Sequence, residues 1–256
     1  MPAAPPGGGQ PLAGLLGSAL IAAAAPLAPT LAAPPEPPAA LPQPRAHPVP
    51  QQLKRQFAPQ AAGNYLDRIE PTRVGYLVWS QLPVRISLAH PPEARASSAR
   101  QRRFQRWQAA VRQAIADWDQ YLPLSVVASP ERADIRIARS QPPRQSSGQR
   151  ARARAGRTRY TIEVCCRAQG PPRLHPQGQI ALAPGQSRRN TLSSARHELG
   201  HALGLWGHSR QSGDVMYGAH TGSPTSISQR DANTLYRLYR QPTRLGWPLQ
   251  LQRARH

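Results

Sequence analysis

The sequence predicts an α+β fold with one small mixed, mostly parallel twisted sheet. Three observations predict it. Several short segments alternate between apolar and polar residues, one long segment has a helical repeat, and two further helical segments come late in the chain. Strands with one long helix among them, followed by segregated helices, are typical of an α+β domain.

The strands and the long first helix follow from the periodicity of apolar residues. Alternation predicts strands at residues 84–88, 124–127, 135–138, 160–164 and 179–183. After the first strand, apolar residues recur at steps of three or four. They form one stripe of an amphipathic helix, made of Phe104, Trp107, Val111, Ile115, Trp118 and Leu122.

The last two helices have predicted ends. Asn190 or Thr191 can cap the first of them, and Gly204 supplies the left-handed stop expected just past a helix end. Ser228 can cap the C-terminal helix, with Asp231 three residues later as the partner in a capping box.

Composition divides the 256 residues into four parts. Residues 1–33 contain an apolar run of signal-peptide length followed by small residues, so we expect a signal peptide and a secreted or periplasmic protein. Pro26 and Pro29 interrupt the longer apolar stretch from Leu12 to Ala32, so no membrane span is expected in the mature form. Residues 34–62 are proline-rich and predict a disordered linker, residues 63–240 the folded domain, and residues 241–256 a basic tail.

The chain has a formal net charge of +21, nearly all of it from arginine. Such a surface binds polyanions non-specifically, but no nucleic-acid-binding motif accompanies the charge, so no specific nucleic-acid partner is expected. Residues 141–157, rich in Arg, Gln and Ser, predict an exposed loop. Cys165 and Cys166 are adjacent and provide no disulfide framework. A monomer is expected.

The residues with the clearest chemistry are His197 to His201, which read His-Glu-Leu-Gly-His. Histidines four residues apart lie on one face of a helix, so both imidazoles can reach one ion. Zinc suits imidazole ligands and lowers the pKa of a bound water to about 7. Glu198 lies beside such an ion and is placed to take a proton from that water.

A longer pattern follows, with His208 after Gly204 and then Asp-Val-Met-Tyr at residues 214–217. This pattern resembles the metzincin clan of zinc peptidases and, within it, the matrixin family. The resemblance extends over most of residues 75–239, through Ala116–Leu124, Ala133–Ile137 and Ile227–Tyr239. It implies a zincin-like fold with a long first helix, an active-site helix and a C-terminal helix. It also implies that Met216 forms an apolar floor beneath the metal.

The chain departs from the matrixin pattern at the third ligand. The family places a histidine where Gly207 stands, and His208 comes one residue later. We expect His208 to join His197 and His201, because glycines flank the turn and allow the backbone to absorb one extra residue. Asp214 and His220 are the alternatives.

Only one zinc ion is expected. Matrixins usually carry a structural zinc and calcium ions between the third and fifth strands. Between residues 141 and 190 the only carboxylate is Glu163 and the only histidine is His175. Because calcium requires a cage of oxygen ligands, we predict neither a structural zinc nor calcium here.

The resemblance implies a zinc-dependent endopeptidase in which Glu198 is the general base. A protein or peptide substrate would lie along an edge strand near residues 160–164, and residues 217–224 would line the specificity pocket. Two alternatives are a non-catalytic zinc-binding protein and a basic, polyanion-binding secreted protein. A purely structural zinc site has no use for Glu198. Binding that weakens steeply with salt would favour the second alternative.

Overall fold

The computed structural model describes residues 41–91, 93, 95–143, 155–165, 170–219 and 226–249. The predicted signal peptide, the end of the basic tail, most of the arginine-rich loop and His220 lie outside these residues. None of the described helices is long and apolar enough to cross a membrane.

Within the described part of the chain, one mixed sheet of five strands confirms the predicted fold class. The strands are β1 (Val84–Leu88), β2 (Leu124–Val126), β3 (Ile135–Arg139), β4 (Gly156–Cys165) and β5 (Arg173–Leu182). Their spatial order is β2-β1-β3-β5-β4. All neighbours are parallel except β4, which runs antiparallel to β5 and forms one edge of the sheet.

Strands β4 and β5 are longer than alternation predicts. They pair continuously from Gly156 opposite Leu182 to Cys165 opposite Arg173. Residues 156–157, predicted to lie in an exposed loop, are therefore part of a strand. The β4–β5 pairing is made by main-chain hydrogen bonds, which do not depend on side-chain polarity. Because this stretch is rich in arginine, its hydrophobicity pattern does not predict a strand.

The helices of the domain are α2 (Ser98–Asp119), α3 (Arg188–Ala202) and α4 (Gln229–Tyr239). The capping box predicted for α4 is confirmed, because Ser228 and Asp231 bind each other's backbone N–H groups. The predicted cap of α3 is wrong. Ser187 caps this helix, and its Oγ accepts a hydrogen bond from Asn190 N–H at 3.2 Å.

The long helix α2 supports α3 from below. Trp118, which is fully buried, donates a hydrogen bond from Nε1 to the carbonyl of Arg196 at 2.8 Å. Arg196 in turn pairs with Asp117, with 2.7 Å between Nε and Oδ2. Helix α3 also packs against β4 and β5. The helix that carries His197 and His201 is therefore fixed between a second helix and the edge of the sheet.

The segments on both sides of the predicted domain also pack onto it. Within the predicted linker, residues 51–56 form helix α1, whose Leu53 is fully buried in the main core. Ala58 exchanges backbone hydrogen bonds with the Asn233 side chain of α4. Within the predicted tail, Leu245 is fully buried. Proline-rich composition predicted an unpacked linker, but a few well-placed apolar residues suffice to bury such segments.

Truncating Leu53 tests this packing. In the full-length protein, Leu53→Ala is expected to lower the free energy of unfolding by about 2–5 kcal/mol, because it leaves a cavity in the core. Leu41→Ala is the matched control, since Leu41 is 49% exposed. We expect a change within about 0.5 kcal/mol for the control in chemical denaturation. Equal, negligible effects of both substitutions would mean that residues 41–62 do not fold onto the domain.

Candidate metal centre

Two histidines of helix α3 form the base of the candidate metal centre. His197 and His201 lie one turn apart, with ring centroids separated by 4.7 Å. Nδ1 of His197 bonds to the carbonyl of Val215 at 2.8 Å, and Nδ1 of His201 bonds to the carbonyl of Leu205 at 2.7 Å. A carbonyl can only accept, so both rings carry their proton on Nδ1 and their lone pair on Nε2, the atom suited to a metal.

The turn after α3 absorbs the extra residue before the third histidine. Gly204 ends the helix with φ of +122°, a conformation that L side chains rarely adopt. Trp206 N–H then bonds to the carbonyl of Gly204 at 2.8 Å, and Gly207 N–H to that of Leu205 at 3.0 Å. These two successive bonds, each spanning only two residues, tighten the chain and bring His208 back toward α3.

The turn places His208 against both histidines of the helix. Its ring stacks on His197 at a centroid distance of 5.3 Å and meets His201 edge-on at 5.0 Å. One ligand atom from each of the three residues lies within 4.8 Å of the others. Three converging imidazoles are the ligand set of a catalytic zinc site, in which a fourth position stays open for water or substrate. The residues present therefore fit zinc.

The electrostatics of His201 favour metal binding. Its ring is about 9% exposed, and burial, followed by repulsion from His197, lowers its pKa to about 3. The ring therefore stays neutral over the ordinary pH range, and a metal does not have to displace a proton from it. His208 lies at the exposed side of the cluster.

Of the two alternative third ligands, Asp214 and His220, the structure describes only Asp214. The Asp214 carboxylate accepts hydrogen bonds from Ser209, Ser228 and Arg230 and is only 2% exposed. These contacts make Asp214 a structural link between Ser209 and the start of α4 rather than a metal ligand. The other alternative, His220, lies outside the described residues.

A buried methionine forms the floor beneath the histidines. Met216 is fully buried, and its sulfur packs so closely on Gly200 of α3 that any Cβ at residue 200 would overlap it. Asp231 of α4 holds this turn by accepting from Val215 N–H at 2.8 Å and Met216 N–H at 3.4 Å. The capping box of α4 therefore also fixes the turn that underlies the metal centre.

Glu198 lines a cleft of about 640 Å³ together with the three histidines. The side chain is 8% exposed, and its Oε2 accepts a hydrogen bond from Thr158 of β4 at 2.6 Å. The adjoining wall is formed by residues 155–158, at the start of the edge strand, whereas residues 160–164 do not line the cleft. The part of the strand that lines the cleft therefore lies a few residues earlier than the segment expected from the sequence.

Gly156, Thr158 and Trp206 are among the cleft residues that sequence reasoning missed. The two strand residues share the alternation of Tyr160 and Ile162, so extending that pattern four residues toward the N-terminus would have found them. Trp206 stacks on His201 at a centroid distance of 5.4 Å. Of the residues expected in the specificity pocket, 217–219 line the cleft, and 220–224 lie outside the described residues.

His175 of β5 has a different role from the three histidines of the candidate metal centre. His175 is buried in β5, and its Nε2 lies 3.1 Å from Oδ1 of Asp134, which also pairs with Arg85. Burial alone would raise the pKa of Asp134, but the hydrogen bonds from His175 and Arg85 together hold that pKa well below its usual range. His175 thus belongs to a structural ionic network within the sheet.

The fold and the metal centre together define a class of protein. The chain combines a mostly parallel sheet, a helix with two histidines and a glutamate, a third histidine beyond a glycine turn and a methionine beneath the histidines. Together these features define a metzincin-type zinc peptidase. The sequence profile named Matrixin matches residues 95–240, more than half of the chain, and the chain belongs to the matrixin family. It is therefore a zinc-dependent metallopeptidase. A comparison with curated protein sequences gives no match to the chain.

Proposed function

We propose that this matrixin is an endopeptidase in which His197, His201 and His208 hold one catalytic zinc and Glu198 is the general base. One observation carries the proposal. The three imidazoles converge in the same cleft that the buried Glu198 lines. A structural zinc site closes all four positions with ligands, whereas this site combines three ligands with an adjacent proton acceptor.

Bound zinc would supply Lewis acidity toward a substrate carbonyl and would lower the pKa of a coordinated water. The residues of the chain divide the remaining work. Glu198 accepts the proton of the attacking water and transfers it to the departing amine. Its low exposure of 8% strengthens the electrostatic interactions of the carboxylate and limits competing solvent. The Nδ1 bonds of His197 and His201 hold the two rings in the orientation that ligation requires.

The edge strand supports cleavage within a chain rather than at its ends. Among the described residues β4 pairs with β5 alone, so its other side can add an extended peptide by main-chain hydrogen bonds. The cleft extends from residues 155–158, at the start of this strand, past the histidines to residues 217–219. A substrate held in this way passes through the cleft with residues on both sides of the scissile bond.

The proposal predicts that activity depends on one zinc and on His208. Chelation of the full-length protein should abolish cleavage of unfolded casein, and one equivalent of zinc should restore it. His208→Ala should weaken zinc binding by more than about 100-fold, because a ligand contributes more than the 10–100-fold of an outer partner. His90→Ala is the control, since this histidine lies two residues after β1 and does not line the cleft.

Zinc content by mass spectrometry and peptide mapping of the casein products distinguish the alternatives. Cuts at internal bonds support an endopeptidase, and release of terminal residues alone contradicts it. Stoichiometric zinc without cleavage would favour the zinc-binding scaffold. Unchanged zinc affinity in His208→Ala would exclude this residue as the third ligand.

The basic sheet face supports a further, non-specific property. Arg136, Arg157 and Arg159 line a shallow groove of about 320 Å³ on the face of the sheet opposite α3. We propose that polyanions bind this face by charge alone. We also propose that the protein is exported and monomeric. Retention on a sulfated polysaccharide that falls steeply with salt would support charge-driven binding. Retention that is insensitive to salt would contradict it.

A further inference from the structure

Strand β4 contacts the Glu198 side chain through two of its residues. Gly156 and Thr158 are two residues apart in the strand and therefore present the same face. This face is toward α3, because both residues lie against Glu198. Oγ1 of Thr158 lies 2.6 Å from Oε2 of Glu198 and 2.9 Å from the backbone oxygen of the same residue. Thr158 and Glu198 are each 8% exposed, so the contact is shielded from solvent.

Gly156 accommodates the stem of the same glutamate. A Cβ at residue 156 would lie 2.6 Å from Cγ and 2.8 Å from Oε1 of Glu198, closer than real Cβ atoms approach their neighbours. Only glycine therefore allows the glutamate to lie against the strand at this point. The threonine two residues later can then reach the carboxylate.

The Thr158 hydroxyl has one proton and two acceptors within reach. The contact to the carboxylate is the shorter one, and 2.6 Å falls in the range of about 2.5–2.7 Å for a hydroxyl bound to an ionised oxygen. The terminal torsion of a glutamate is broad and roughly two-fold, so a carboxylate without such a bond rotates widely. The hydroxyl thus restricts the orientation of the group that has to receive a proton.

We propose that Thr158 is a positioning residue that fixes the carboxylate of Glu198 for proton transfer, with Gly156 making room for it. This inference rests on the proposed peptidase function and on Glu198 as its base. Misplacing a reacting group by about 1 Å can cost about 100-fold in rate. Loss of the hydroxyl should therefore slow the chemical step without weakening the binding of substrate or zinc.

Two substitutions at one position separate the hydroxyl from the shape of the side chain. Thr158→Val keeps the branched shape and removes the hydroxyl, whereas Thr158→Ser keeps the hydroxyl. For the full-length zinc-loaded protein and one peptide substrate, we expect Thr158→Val to lower kcat by about 10- to 100-fold. KM and zinc content should stay unchanged. Thr158→Ser should recover most of the activity, and Thr161→Val, an exposed change in the same strand, should have none of these effects.

Each other outcome has a defined meaning. Wild-type kcat in Thr158→Val overturns the inference, and so does a Thr158→Ser variant as slow as Thr158→Val. Zinc loss or a rise in KM that accounts for the lower activity would assign Thr158 a structural or binding role instead. Zinc-loaded wild-type protein that cleaves no peptide overturns the proposed function itself, and this inference with it.

Discussion

Glu198→Gln is expected to lower kcat for peptide cleavage by about 10²- to 10⁴-fold, the range that a positioned general base contributes. Glutamine has nearly the same shape as glutamate and can still accept the hydrogen bond that Thr158 donates to Oε2. It cannot accept a proton from water at neutral pH. The substitution therefore removes the basic function while leaving the contacts between residue 198 and β4 intact.

Zinc content and thermal stability should stay at their wild-type values in Glu198→Gln, because the three histidines are unchanged. The matched control is Glu163→Gln, which makes the same chemical change at an exposed position of β4, where the only described hydrogen bond is local, from Thr161. We expect full activity from this control. A Glu198→Gln variant that cleaves at the wild-type rate would exclude Glu198 as the base and would transfer that role to another group in the cleft.

The sequence was informative where chemistry depends on local spacing. His197 and His201 share a helix, so the four-residue interval alone places both on one face. The capping box at Ser228 and Asp231 is equally local, and the structure reproduces it. The order of strands and helices also follows from periodicity, because each element buries its own apolar stripe or face.

Contacts between distant segments were not accessible in this way. Thr158 and Glu198 are 40 residues apart, and only the antiparallel pairing of β4 with β5 brings the strand beside α3. The burial of Leu53 depends on the docking of a proline-rich segment onto the core, which local composition does not indicate. Tertiary packing of this kind overrides intrinsic preference, so single-sequence patterns give no warning of it.

Asp231 shows how one residue can have a local role that is predictable and a long-range role that is not. Its carboxylate caps α4, as the sequence indicates, but it also accepts a hydrogen bond from Tyr65 Oη at 2.5 Å. Through Val215 it reaches the metal centre, because Val215 N–H donates to Asp231 while Val215 O accepts from His197. One fully buried carboxylate thus connects α4, the N-terminal segment and a ligand of the candidate zinc.

Asp231→Ala is expected to lower the free energy of unfolding by at least about 3 kcal/mol, because several buried donors lose their acceptor and each costs about 1–3 kcal/mol. Zinc affinity should fall by about 10- to 100-fold, because the turn loses the acceptor of Val215 N–H and no longer holds the Val215 carbonyl against His197. Chemical denaturation of the zinc-free protein and competition with a zinc chelator measure the two effects separately. Asp67→Ala, at an exposed position, should change stability by less than about 0.5 kcal/mol.

A double-mutant cycle with Tyr65→Phe assigns the part of this stability that comes from the buried hydrogen bond. Tyr65→Phe alone should cost about 1.5–3 kcal/mol, because it removes a hydrogen bond to a charged group. In the Asp231→Ala background the same change should cost much less, because the hydroxyl has already lost its acceptor. Strictly additive effects would mean that the two side chains stabilise the protein independently. Zinc affinity that is unchanged in Asp231→Ala would show that the turn bearing Val215 and Met216 keeps its shape without this anchor.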